Sequence, residues 1–93
     1  MPSSVARVET ANASRYLQQL CKHWSHKFEV SFDAAKGFVP FSPGSTLSLA
    51  ADKAGLTMTL DSEEGLTRLQ DVVADHLKRF AFREELVVSW QPH

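Results

Sequence analysis

Apolar and polar residues alternate from Ser4 to Glu9, the two-residue period of a short strand. From Thr10 or Asn12, either of them suited to cap a helix, the pattern changes period. Ala13, Tyr16, Leu17, Leu20, Cys21 and Trp24 recur at helical spacing and predict a helix running to about His26. Phe28, Val30 and Phe32 then alternate with Glu29, Ser31 and Asp33, a strand with one wet face. A turn at Ala34–Gly37 leads into a short segment, Phe38 to Phe41, whose Pro40 predicts an edge strand or a strand end. After a turn at Pro43–Gly44, Leu47, Leu49 and Ala51 alternate with polar or small residues. Leu56, Met58 and Leu60 alternate back, and Asp52-Lys53-Ala54-Gly55 between the two runs reads as a type I turn with a glycine bulge.

Asp61 followed by Glu64 has capping-box spacing, and Glu63 adds charge suited to a helix start. Leu66, Leu69, Val73, His76, Leu77 and Phe80 occupy one arc of a second helix that ends near Phe82, with Lys78 and Arg79 at its basic end. Leu86, Val88 and Trp90 form a last strand. The order β-α-β-β-β-β-α-β predicts an α+β two-layer sandwich, with two helices on one face of a mostly antiparallel sheet of five to six strands. If each connection reverses direction, the helices run antiparallel. The basic end of the first (Lys22, His23, His26, Lys27) then lies near the acidic start of the second (Asp61, Glu63, Glu64).

Ninety-three residues, 43% apolar and 23% charged, suit a single domain spanning 1–93 with ordinary globular composition. Ten basic residues against eleven acidic ones give a net charge of −1. With no global field to draw it to nucleic acid or anionic lipid, the chain is expected to bind neither. The single Cys21 excludes an internal disulfide framework. The stretch MPSSVARVET has neither a basic n-region nor an apolar h-region, and no apolar run approaches the roughly 18 residues of a membrane span. The expected location is the cytoplasm.

Three stretches together resemble a bacterial family catalogued as domain of unknown function 2218. They are Ala11 to Lys27 (ANASRYLQQLCKHWSHK), Gly37-Phe38-Val39-Pro40-Phe41, and Leu69 to Glu85 (LQDVVADHLKRFAFREE) followed by Trp90. The resemblance covers nearly the whole chain and implies a small α+β domain without an assigned activity or catalytic residue. Similar domains accompany flavin-type siderophore-interacting proteins, which implies an association with siderophore or iron handling and with a siderophore-pathway protein as partner. One departure is Ser42 to Ser45, a longer and more polar link than the tight glycine turn the resemblance leads one to expect.

Among candidate site residues His76 stands out, because it falls inside the apolar arc of the second helix, toward Val72. Its bland reading is a core-edge histidine bonded to the backbone; its functional reading is a ligand-facing donor or base. If the helix persists one more turn, Arg79 and Arg83 stack beyond His76 and form a ridge for a carboxylate, phosphate or catecholate. Asp75, Glu84 and Glu85 offer ordinary ion pairs to the same arginines. His23 and His26 have a spacing that can chelate a metal, but Lys22 and Lys27 flank them and repel a cation, so they are expected to face solvent. His76 lies about ten residues past the start of the second helix, roughly 15 Å along its axis, which separates it from His26 beside that start. Cys21 lies in the apolar stripe as packing, and no nucleophile elbow, zinc-protease or P-loop motif occurs. No metal or cofactor is expected.

The leading reading is a non-catalytic binding or accessory module, holding a small anionic ligand through His76, Arg79 and Arg83. The alternative is an interaction domain that forms a homodimer through an edge strand, Phe38 to Phe41 or Leu86 to Trp90. A third, an enzyme with His76 as general base, lacks visible partner residues.

Overall fold

Burial alternates residue by residue along the long strands, and that alternation places both helices on one side of the sheet. The computed structural model describes residues 3–92. Its elements are β1 (Ser3–Glu9), α1 (Ala13–Trp24), β2 (Ser31–Phe32), β3 (Lys36–Ser42), β4 (Ser45–Ala51), β5 (Gly55–Ser62), α2 (Leu66–Phe80) and β6 (Trp90–Pro92). This is the order expected from the sequence. The strands form one six-stranded antiparallel sheet in the order β2-β3-β4-β5-β1-β6.

The inward residues Ala6, Val8, Val39, Leu47, Leu49, Leu56, Met58 and Leu60 are buried beneath the helices. The six apolar residues of the α1 stripe, Ala13 to Trp24, are all buried, and α2 contributes Val73 and Leu77. The opposite sheet face carries Ser48, Ala50, Thr57 and Thr59 and stays open, as one-sided antiparallel sheets do. The expected hairpin forms: Asp52 Oδ1 accepts from the amides of Ala54 (2.8 Å) and Gly55 (3.0 Å), closing the turn between β4 and β5.

Four local expectations are corrected. The Asp61–Glu64 capping box does not form, because β5 continues through Ser62, pairing with β1 and β4, and Asp61 accepts from the Ser3 hydroxyl. Helix α2 starts later, after Gly65, whose φ of 70° is readily adopted without a side chain. Phe28 and Val30 leave the strand, because the Lys27 and Phe28 amides both bond to Trp24 O and draw that segment into the end of α1. The Ser42–Ser45 link is itself tight, since Ser42 pairs with Ser45 and only Pro43 and Gly44 lie between them.

The edge strands also differ from expectation. β3 is not the outermost strand, because β2 pairs with its residues Gly37 and Phe38. Beyond that pairing, alternation of the backbone turns Pro40 toward the open edge: Lys36 O bonds toward β2, while Ala35 O bonds toward β4. Proline has no amide proton to offer there, which blunts the edge. At the other edge, among the described residues, only Trp90–Pro92 pair with that side of β1. Leu86 and Val88 keep inward burial without a ladder, with Val87 exposed between them.

Candidate functional site

Helices α1 and α2 run antiparallel, as expected, but in a register that sequence spacing did not reveal. Tyr16 near the start of α1 donates to Glu84 beyond the end of α2, while Trp24 at the end of α1 packs its ring at a tilt against that of His76. His23, rather than His26, is thereby brought to His76, with ring centroids 5.0 Å apart. The basic end of α1 therefore meets the middle of α2. The acidic start of α2 was expected beside it, but among the described residues the ion pair present is Arg7–Asp52, and Asp61, Glu63 and Glu64 make none.

The two imidazoles open onto a cleft of about 310 Å³, lined by His23, Trp24, Lys27, Phe28, Phe41, Leu69, Val72 and His76. Its apolar wall is an edge-to-face aromatic group: the Phe41 ring lies 5.2 Å from Trp24 and 5.3 Å from Phe28, near 90° to both. A register shift between Pro40 and Ser42 leaves Phe41 without a partner on β4. This bulge sits where the strand turns an aromatic side chain into the cleft.

His76 is half-buried, and its Nδ1 lies 2.7 Å from Val72 O one turn earlier. A carbonyl only accepts, so Nδ1 carries the proton and the neutral ring keeps its lone pair on Nε2. The backbone bond of the bland reading is therefore present, and it leaves the second nitrogen free of that bond. His23 packs against Trp24 and Phe80 as well as His76. Desolvation, then the charges of His76, His26, Lys27 and Arg79, hold its pKa below the ordinary histidine value. None of those neighbours is acidic. Among the described residues no three His, Cys, Asp or Glu side chains gather into a metal-holding group.

The ridge of His76, Arg79 and Arg83 is not assembled, because α2 ends at Phe80. Arg79 acts on His23 through its charge and is exposed. Arg83 instead borders a separate 220 Å³ hollow with Asn12, Arg15 and Tyr16, its guanidinium over the Phe82 ring. Glu84 does not pair with Arg83. Its carboxylate accepts from Thr10 Oγ1 (3.0 Å), Asn12 Nδ2 (3.0 Å) and the Tyr16 hydroxyl, tying the chain after α2 to the start of α1. Those bonds, led by the one from Tyr16, hold its pKa below the usual carboxylate value. Asn12 thus stands at the N-cap of α1 with its side chain turned away from the helix.

A larger groove of about 590 Å³ crosses the open sheet face, rimmed by Phe32 and Phe38, which are 38% and 43% exposed. Its floor of Ser48, Ala50, Thr57 and Thr59 carries small side chains and no charge; Lys36 and Asp33 stand on its rim, the Asp33 carboxylate committed to the amides of Ala35 and Lys36. The smaller inter-helix cleft has the convergent polar groups that ligand sites use. Spacing alone names His23, Lys27 and Phe41 but does not bring them to His76. The available signal for His23 was its position three residues after Leu20 and seven after Tyr16, on the rim of the buried stripe.

The family model for uncharacterised proteins conserved in bacteria, DUF2218, matches residues 5–91. The chain belongs to the DUF2218 family. No curated protein matches it. The DUF2218 chain is similar to the NMR structure of PA4090 from Pseudomonas aeruginosa, at 44% identity and a TM-score of 0.82. The match covers 99% of this chain and 97% of that one. The DUF2218 fold described above is therefore the fold of that protein as well.

Proposed function

We propose that this domain is a non-catalytic binding module that holds a small anionic ligand in the cleft between α1 and α2. The observation that carries the reading is the meeting of His23 and His76, 5.0 Å apart, in an aromatic-walled cleft to which Lys27 adds a fixed positive charge. The groups acting electrostatically on His23 are all cationic when charged, so an anion entering the cleft relieves their repulsion. His76 and Lys27 contact the ligand, and Arg79 adds charge at the rim. Arg83, in the neighbouring hollow, takes no direct part.

A non-catalytic role fits the lining, which offers no carboxylate, hydroxyl or thiol to work beside His76 as acid, base or nucleophile. The carboxylate and catecholate groups of siderophores belong to the same ligand class, and in that sense the iron-handling association carries over. The test is a thermal-shift screen of wild type and His76→Ala against small organic and inorganic anions. A ligand that prefers the native state raises its apparent stability. Selected anions are expected to raise the Tm of wild type and not that of the folded variant; a flat screen on wild type overturns the reading.

A further inference from the structure

The walls of the cleft and the tautomer of His76 narrow the ligand class further. Resting on the anion-binding reading above, we propose that the ligand is an aromatic carboxylate and that His76 takes up a proton when it binds. About 310 Å³ lies at the lower end of small-molecule pockets and suits a ligand of one or two rings. The edge-to-face set of Trp24, Phe28 and Phe41 presents both ring faces and ring edges, surfaces on which another aromatic ring packs well. An aliphatic acid leaves most of that wall unused.

The proton follows from hydrogen-bond arithmetic at His76. Its Nδ1–H is committed to Val72 O, so the neutral ring can offer only the Nε2 lone pair to a ligand. A carboxylate oxygen also brings only lone pairs. The two repel until Nε2 is protonated, after which the imidazolium donates a charge-assisted bond. Of the charged or titratable groups, His23 and Lys27 line the cleft with His76, and His26, Lys27 and Arg79 act on His23 beside it, while β3 contributes the apolar Phe41. Asp71 and Asp75 lie on exposed positions of α2. A bound carboxylate accepts from the Nε2–H of an imidazolium and so favours that form, which makes ligand and proton bind together.

The test is isothermal titration calorimetry of the whole chain with benzoate, acetate and sulfate in Tris and Bis-Tris buffers, neither of which is an anion. Benzoate is expected to bind at least about tenfold more tightly than acetate, because its ring is desolvated against the aromatic wall. Its heat should differ between the buffers by an amount that reports net proton uptake. His76→Asn keeps a side-chain N–H for Val72 O but cannot titrate, so it should lose the buffer-dependent heat. Equal affinity for benzoate and acetate, or sulfate binding without benzoate binding, overturns the aromatic class while sparing the anion site. Benzoate binding with identical heats in both buffers overturns the proton uptake. Failure of all three probes overturns the anion-binding reading itself.

Discussion

Gly37 passes so close to Cys21 that a methyl group on it would stand 2.6 Å from the Cys21 sulfur and 3.3 Å from Leu49 Cδ1. The glycine of the Gly-Phe-Val-Pro-Phe run is thus explained by packing: it lets β3 lie directly under α1. Gly37→Ala gains a little from a less flexible unfolded chain, about 0.4–1 kcal/mol. Overpacking a filled core costs about 1–3 kcal/mol, so the net effect is destabilising. Cys21→Ala removes the clashing atom, and the double variant should be more stable than the sum of the single losses implies. Urea melts of the four proteins check this; strictly additive losses would show that the contact is not the cause.

The same burial should silence the thiol. Desolvation pushes Cys21 up to about 11, so almost none of it is thiolate at neutral pH. Ellman's reagent should find no fast-reacting thiol in native protein and one per chain in denaturant. A native thiol reacting within seconds at pH 8 would contradict the packing described for α1.

Glu84 gives the fold a specific acid sensitivity. Its folded pKa lies below its ordinary value of 4.5, so the unfolded chain binds protons more readily. The stability it contributes is complete above about pH 4.5 and is lost as pH falls through the folded value. Asp52, held at about 2 by Arg7 and by the Ala54 and Gly55 amides, keeps its contribution to lower pH. Glu84→Gln should lower the denaturation midpoint at pH 7 and flatten the decline in stability between about pH 5 and 3. Parallel acid limbs for variant and wild type would remove Glu84 from the account.

Pro40 guards the open stretch of β3. Pro40→Thr restores a backbone donor on an edge that β2 leaves uncovered, and it should increase concentration-dependent association in sedimentation velocity. An unchanged sedimentation profile would mean that the edge is protected by something other than the missing amide.

How far the fold was legible depended on whether local pattern and tertiary pairing agreed. The stripe from Ala13 to Trp24 and the Leu47–Leu60 hairpin were plain, because the same residues that set the period also form the core. Asp61 and Glu64 had the right spacing for a cap, yet two flanking strands offered the backbone of Asp61 and Ser62 a ladder, and the ladder won. Phe28 looked like a strand residue because its apolar phase suits either period; the Trp24 carbonyl decided the matter. The site was half legible. His76 was visible from its phase on α2, but its partner depended on the axial offset of two helices, which no local pattern encodes. Glu84 was hidden in the same way, since its three donors lie some 70 positions earlier in the chain.

The most direct test of the central claim is where a bound anion is felt. In a ¹H–¹⁵N NMR titration with benzoate, the shifts should concentrate at His23, Trp24, Lys27, Phe28, Phe41, Leu69, Val72 and His76. The indole N–H of Trp24 should move and that of Trp90 should not. Shifts confined instead to Phe38, Ser48, Thr57 and Thr59 would place binding on the open sheet face and contradict the inter-helix cleft as the site.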